Sequence, residues 1–109
     1  MTSCRIAIGP LPASPLDAAR AFFADELGAI RRRADAAPDD IVLVFVEADH
    51  PHEGWRRAAV QELARERAPQ RVNAIASADE DAIAEASAYL SNAPGVTGQY
   101  IPLQDEAGR

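Results

Sequence analysis

The amino-acid sequence predicts a three-layer α/β domain of about four mainly parallel strands and three helices. Short apolar runs alternate along the chain with longer segments in which apolar residues recur every three or four positions. The strongest run, residues 41–46, is apolar throughout, which is typical of a parallel strand that is buried on both faces. Strands that alternate with helices in this way indicate parallel pairing through right-handed crossovers.

Three weaker apolar runs, at residues 4–8, 71–76 and 99–103, predict the other strands. The last of them contains Pro102, which has no N–H to donate to a ladder, so we expect that strand to lie at or near an edge of the sheet. Residues 1–103 are predicted to form a single domain, and residues 104–109 a flexible tail.

The first helix is predicted to begin at Ser14, which supplies an N-cap, followed by Pro15 in the first turn and Asp17 three residues after the cap. One apolar stripe then follows at spacings of three and four. Its members are Leu16, Ala19, Phe23, Leu27, Ile30 and Ala34. We expect this stripe to face the core.

Two further helices complete the predicted pattern. The second is predicted from about Glu53 to Arg67, before a proline that closes it. The third begins with a capping box formed by Ser77 and Glu80 and ends at the Pro-Gly pair of residues 94–95.

Composition and charge exclude several classes of function. Of 109 residues, 17 are acidic and 11 are basic, and the net charge is −6. This balance argues against a nucleic-acid partner, which requires a basic footprint, and the arginine run at 31–33 is interpreted as the complement of a helix C-terminus. All the basic residues are arginine, so chemistry that requires a lysine is excluded.

The single cysteine, Cys4, excludes an internal disulfide and favours a reducing, cytoplasmic location. No apolar run approaches the roughly 18 residues that a membrane span requires, so we expect no membrane partner.

A series of short motifs occupies the second half of the chain: LARE at 63–66, AP at 68–69, RVNAIA at 71–76, AYLS at 88–91 and VTGQYI at 96–101. In this order they resemble the C-terminal part of the short-chain dehydrogenase/reductase family. The resemblance covers about residues 41–103 and implies a Rossmann-like half domain. In that domain residues 41–46 form the strand before the family's catalytic helix.

The same resemblance implies that the family's catalytic residues are missing. Its tyrosine and lysine positions fall on Asp49 and Glu53, and carboxylates cannot replace a phenol that delivers a proton or a cation that lowers the pKa of that phenol. The family's glycine-rich dinucleotide loop belongs to a strand–helix unit with no counterpart in this sequence. We therefore expect no dehydrogenase activity, no cofactor and no metal.

An alternative function rests on the polar cluster of Asp49, His50, His52 and Glu53, which follows the strongest strand. Open α/β sheets bind ligands at the carboxyl ends of their strands, and two histidines beside two acids are able to hold a divalent metal or to act as a base. In a simpler, structural interpretation, Asp49 or His52 caps the second helix and Glu53 favours its positive end. We favour the structural interpretation and retain the cluster as a candidate ligand site.

Association is the leading functional expectation. Phe22 lies off the main stripe of the first helix, and together with Ala18, Ala29 and the Ala58–Ala59 region of the second helix it is a candidate for a second apolar surface. Trp55, at helical spacing with Ala59 and Leu63, is expected to pack in a core or in this interface. In the family that the chain resembles, the corresponding helices pair with their equivalents in a second subunit. The resemblance thus implies a non-catalytic structural or regulatory domain that forms a homodimer or binds a full-length relative.

Overall fold

The computed structural model describes residues 3–36 and 39–103. Its strands are β1 Ser3–Ala7, β2 Asp40–Phe45, β3 Val72–Ala76 and β4 Tyr100–Pro102. They form one sheet in the order β1-β2-β3-β4, and every described pairing is parallel. The predicted α/β class is confirmed, and β4 lies at an edge, as Pro102 requires. The predicted tail at 104–109 lies outside the described residues.

Three helices connect the strands. The first consists of three consecutive segments, namely α-helical Pro15–Ala21, π-helical Phe22–Glu26 and α-helical Leu27–Ala36. The second, Glu53–Arg67, is entered through a single 3₁₀ turn. The third is Glu80–Ser91.

Side-chain caps confirm one predicted helix start and correct another. The hydroxyl of Ser14 accepts a hydrogen bond from a backbone N–H of the first helix at 3.5 Å, as predicted. The N-cap of the third helix is Asp79 and not Ser77. Ser77 instead extends the sheet, because its N–H donates to the carbonyl of Phe45 at 3.1 Å and its side chain is buried.

Different helices cover the two faces of the sheet, because successive residues of a strand point to opposite sides. The first core contains Ile41, Leu43 and Phe45 with Phe22, Ile30, Val60 and Leu63 from the first and second helices. The second core contains Val42 and Ile75 with Ile83 and Leu90 from the third helix. The central strand β2 is thus buried on both faces, as its unbroken apolar run predicts.

The third crossover has the opposite hand to the first two. All three connections step in the same direction across the sheet, but the third helix lies on the other face. A connection that takes the same step over the opposite face necessarily has the opposite hand. The expectation of uniformly right-handed crossovers is therefore wrong. The physical reason is burial, since Val42 and Ile75 would face water without a helix on their side.

The π-helical turn moves the buried stripe of the first helix by one residue. The N–H of Leu27 donates to the carbonyl of Phe22, five residues earlier, so the turn holds one residue more than an α-helix would. In an unbroken α-helix Phe23, seven residues before Ile30, would share its face. Instead Phe23 is 48% exposed and Leu16 is 84% exposed, so the predicted stripe is wrong in its N-terminal half. The buried residues are Ala18, Phe22, Ile30 and Ala34.

Aromatic packing is the physical reason for this shift. The ring centroid of Phe22 lies 5.7 Å from that of Phe45 and 5.5 Å from that of Trp55. Phe45 and Trp55 meet edge to face at 5.9 Å. Aromatic pairs at such separations contribute roughly 0.5–1.5 kcal/mol each beyond their buried area. These contacts favour Phe22 in the core and offset the cost of the irregular turn.

Deletion of Ala24, an exposed residue of the π-helical turn, should leave the fold intact. It removes the extra residue, so a regular α-helix then keeps Phe22 on the same face as Ile30. Deletion of the exposed Arg32, in the regular part of the same helix, should lower the free energy of unfolding more, because it rotates Ala34 out of the core. Urea denaturation compares the two variants. An Ala24 deletion that is less stable than the Arg32 deletion would contradict this interpretation.

Candidate functional site

The predicted polar cluster follows β2 at the carboxyl edge of the sheet, the usual ligand side of a parallel α/β fold. The chain passes there through a 3₁₀ turn over His50–His52 and enters the second helix at Glu53. Neither Asp49 nor His52 makes a side-chain capping bond, so the predicted cap is wrong. Asp49 contributes its backbone carbonyl instead, which accepts from the N–H of His52 at 3.1 Å.

His52 is buried and uses both of its ring nitrogens. Nε2 lies 3.0 Å from the carbonyl oxygen of Ala13, and Nδ1 lies 3.2 Å from the indole Nε1 of Trp55. Because a carbonyl only accepts and an indole N–H only donates, the proton resides on Nε2 and the lone pair of Nδ1 is occupied. His52 therefore ties the loop after β1 to the second helix and offers no free lone pair to a metal.

The other members of the cluster face solvent and do not converge. The side chain of His50 is 91% exposed, and its Nδ1 lies 3.7 Å from a carboxylate oxygen of Glu53. The same oxygen lies 3.9 Å from the guanidinium of Arg57. Within residues 3–36 and 39–103, no three histidine, cysteine, aspartate or glutamate side chains are grouped so that they could hold a metal ion. The cluster is divided between a buried structural histidine and a surface group in which Glu53 lies between His50 and Arg57.

One turn into the second helix, Arg56 is buried beneath the carboxyl edge and was not singled out by the sequence pattern. Its Nη1 donates to the carbonyl of Val46 at 2.8 Å and to the hydroxyl of Tyr100 at 3.1 Å. Its guanidinium carbon lies 4.5 Å from the ring centroid of Phe45, a cation–π contact. No carboxylate among the described residues pairs with it. The guanidinium thus connects the end of β2 to β4 through hydrogen bonds to a carbonyl and a hydroxyl and through its contact with an aromatic ring.

The RVNAIA motif contributes structural contacts. Arg71 is buried and pairs through its guanidinium with Asp40, at the start of β2. Its Nη1 also donates to the carbonyl of Leu90, in the last turn of the third helix, and to that of Ala93, just after this helix. Asn73 holds the loop before β4 through two side-chain hydrogen bonds. Its amide N–H donates to a backbone carbonyl of that loop, and its Oδ1 accepts from a backbone N–H of the same loop, each at 3.0 Å.

The VTGQ segment is the loop that these contacts hold. The hydroxyl of Thr97 accepts from the N–H of Val72 at 3.0 Å, and the N–H of Gly98 donates to the carbonyl of Val72 at 2.7 Å. Gly98 has a φ of +77°, a region that favours glycine. The motifs therefore position β4 and the third helix against the sheet.

The residues predicted as an interface lie mostly inside the chain. Phe22 is fully buried and Ala59 is 1% exposed, and both belong to the first core, which corrects the expectation that Phe22 forms a second apolar surface. Trp55 is half-buried and packs against the same core. The π-helical turn places Phe22 in the core and leaves Phe23 outside.

An apolar groove does lie on the outer side of the first two helices. It has a volume of about 400 Å³, and half of its lining residues are apolar, namely Phe23, Leu27, Ala59 and Leu63. The other lining residues form two ion pairs, Arg31–Glu66 and Arg65–Glu62, which are called its rim below. The spacing of apolar residues does not reveal this surface, because it places Phe23 in the core and no local sequence signal marks a π-helical turn.

At this rim the Arg31 guanidinium lowers the pKa of Glu66, mainly through a hydrogen bond and also through its charge. Because the pKa is lower in the folded chain, this pair stabilises the fold above the ordinary pKa of 4.5, and the contribution is lost as the pH falls through the lowered value. Both side chains are accessible to water, so the contribution is small and is screened by salt.

Comparison with known proteins relates these features to a family. A family model described as "Short chain dehydrogenase-like protein" matches residues 6–103. The chain belongs to this SDR-like family. The match covers all three helices, β2, β3 and β4 and the last two residues of β1, and so extends the resemblance back from residue 41. No significant match was found among curated proteins or among solved structures.

The resemblance assigns the family's tyrosine and lysine positions to Asp49 and Glu53, and the structure shows what surrounds each of them. Asp49 is exposed in the loop before the second helix, and Glu53 begins that helix beside His50 and Arg57. Among the described residues, no helix combines the length and the apolar character needed to cross a lipid bilayer.

Replacement of the two histidines should separate structure from ligand binding. His52→Ala removes two hydrogen bonds from a buried site and should lower the free energy of unfolding by about 1–3 kcal/mol. His50→Ala, the exposed control, should change it by less than about 0.5 kcal/mol. Urea denaturation measures both. Thermal melting with added zinc should give no shift that depends on His50, and a zinc-induced rise that His50→Ala abolishes would restore the cluster as a metal site.

Proposed function

We propose that this SDR-like chain is a non-catalytic domain that acts by association, and that its partner is a second copy of the chain. The observation that carries the proposal is the apolar groove on the outer side of the first two helices. The proposal has two parts, the loss of the inherited chemistry and the use of this surface for self-association.

The chemistry at the carboxyl edge supports the first part. The inherited reaction needs a phenol with a lysine cation beside it, and the chain has carboxylates at both positions. The carboxylate of Glu53 is held near His50 and Arg57, which places an acid–base network where a cation is required. His52 and Arg56, two buried polar residues near this edge, make structural hydrogen bonds.

The exposed side chains of the first helix support the second part. Leu16 and Phe23 are 84% and 48% exposed, although each would bury substantial apolar area against a partner. Phe23 lines the groove together with Leu27, and Leu16 lies seven residues before Phe23 on the same helix. An aromatic anchor beside an apolar depression, with charges around it, is the composition that protein interfaces favour at their centre and rim.

Charge at the rim favours a second copy over an acidic or a basic partner. The rim carries two arginines and two glutamates and is therefore electrically balanced. Around a two-fold axis the same patch meets itself, so each arginine is able to exchange its own glutamate for that of the partner. A strongly acidic partner would instead repel the two glutamates, and a strongly basic partner would repel the two arginines.

Titration with NAD(H) and NADP(H) tests the loss of cofactor function. We expect no saturable heat by calorimetry and no shift in melting temperature, because the chain has no glycine-rich loop to hold the pyrophosphate. Saturable binding of either dinucleotide would contradict the non-catalytic part of the proposal.

Sedimentation velocity of the wild-type chain, Phe23→Ser and Tyr89→Ser tests self-association. Tyr89 is the matched control, because it is an exposed aromatic residue on the third helix and so lies on the opposite face. We expect a wild-type dimer at micromolar concentration. Phe23→Ser should raise its dissociation constant tenfold or more, equivalent to about 1.4 kcal/mol, and Tyr89→Ser should leave it unchanged.

Two outcomes of this experiment would overturn the self-association part. One is a wild-type chain that stays monomeric up to about 100 μM, far above the micromolar range of specific complexes. The other is equal weakening by both substitutions, which would indicate a loss of folded protein instead of a loss of interface. Association only after a full-length SDR-like protein is added would assign the surface to that partner.

A further inference from the structure

The outer edge of β1 is open among the described residues, where β1 pairs only with β2. In a parallel pair, alternate residues direct their backbone groups to the neighbouring strand. The N–H of Ile8 donates to the carbonyl of Val44, so the even-numbered residues of this segment face β2. The odd-numbered residues Ser3, Arg5 and Ala7 consequently direct their N–H and C=O groups outwards.

Such an edge is a template for strand addition. Its free backbone groups are able to pair with a strand from another chain, which leads to aggregation or to an extended sheet. Folded proteins oppose this with charged side chains, short strands or a covering element at the edge. The five residues of β1 form a short strand, and the first helix ends beside it.

Arg33, in the last turn of the first helix, reaches across this edge. Its Nη2 donates to the backbone carbonyl of Arg5 at 3.4 Å and lies 3.2 Å from Sγ of Cys4. The carbonyl of Arg5 is the outward-facing acceptor at the middle of β1. A guanidinium at that point therefore occupies the acceptor that an added strand would need first.

The side chain of Arg5 is also held in place. The guanidinium of Arg5 pairs with Glu80, at the start of the third helix, at 2.7 Å on the second face of the sheet. The middle of β1 is thus flanked by two arginines from opposite faces. An incoming strand would have to displace Arg33 from the carbonyl of Arg5 and remove water from the Arg33 guanidinium and from the Arg5–Glu80 ion pair.

We propose that Arg33 blocks the edge of β1 against strand addition, so that another chain does not extend this sheet. The inference does not depend on self-association through the helices. It excludes one route by which an SDR-like partner could complete the sheet in trans, namely backbone pairing along β1. Contact with other chains is left to side-chain surfaces.

The test compares Arg33→Ala with Arg32→Ala, which removes the same charge from the next, exposed position of the same helix. Both variants are incubated below their melting temperatures, and light scattering with thioflavin T fluorescence follows assembly through strand edges. We expect Arg33→Ala to assemble at least fivefold faster than Arg32→Ala and the wild type. We also expect the same acceleration when Phe23→Ser is combined with Arg33→Ala, because the edge and the helix surface are separate.

Equal assembly rates for the two arginine variants would overturn the inference. So would a loss of the folded circular dichroism spectrum in Arg33→Ala, because that result would assign Arg33 to folding and not to edge protection. Acceleration that Phe23→Ser abolishes would overturn it as well, since assembly would then proceed through the helix surface. A monomeric wild type would contradict the proposed function. The comparison of Arg33→Ala with Arg32→Ala would still test the inference about the edge of β1.

Discussion

The packing of Phe22 against Phe45 and Trp55 is the contact on which the remaining architecture depends. It draws one phenylalanine of an adjacent pair into the core and requires the π-helical turn that follows. That turn rotates the start of the first helix, so Phe23 and Leu16 project outwards. Because protein cores are close-packed, the burial of the Phe22 ring determines which other side chains of this helix are exposed to solvent.

The carboxyl edge, where a parallel sheet usually binds its ligand, is used here for internal bonds. His52 connects the loop after β1 to the second helix, and Arg56 connects the end of β2 to β4. Both groups are buried, and leaving either unpaired would cost free energy. His52 uses both of its ring nitrogens, and Arg56 uses its Nη1, whereas the buried Nε of Arg56 has no hydrogen-bond partner among the described residues. The surface that we propose for association lies elsewhere, on the side chains of two helices.

Family membership and the proposed function are consistent because they rest on different residues. The motifs that relate the chain to short-chain dehydrogenase-like proteins hold the scaffold together: Arg71 joins β2 to the third helix, and Asn73 with Thr97 positions the loop before β4. Such contacts persist as long as the chain folds. The positions that the resemblance assigns to the family's tyrosine and lysine hold Asp49, which is exposed, and Glu53, which is half-buried, and neither side chain takes part in these scaffold contacts.

The sequence by itself determined the class of fold, the number of strands and helices and the edge position of β4, because hydrophobic period and the missing N–H of proline are local properties. It also placed the polar cluster correctly at the end of β2. Only the tertiary structure decided that His52 turns inwards, that the third helix crosses on the opposite face, and that Phe22 is buried while Phe23 is exposed. Each of these features depends on hydrogen-bond partners or aromatic rings that lie far away in the sequence, and the spacing of residues along one helix does not reveal which distant groups will be in contact.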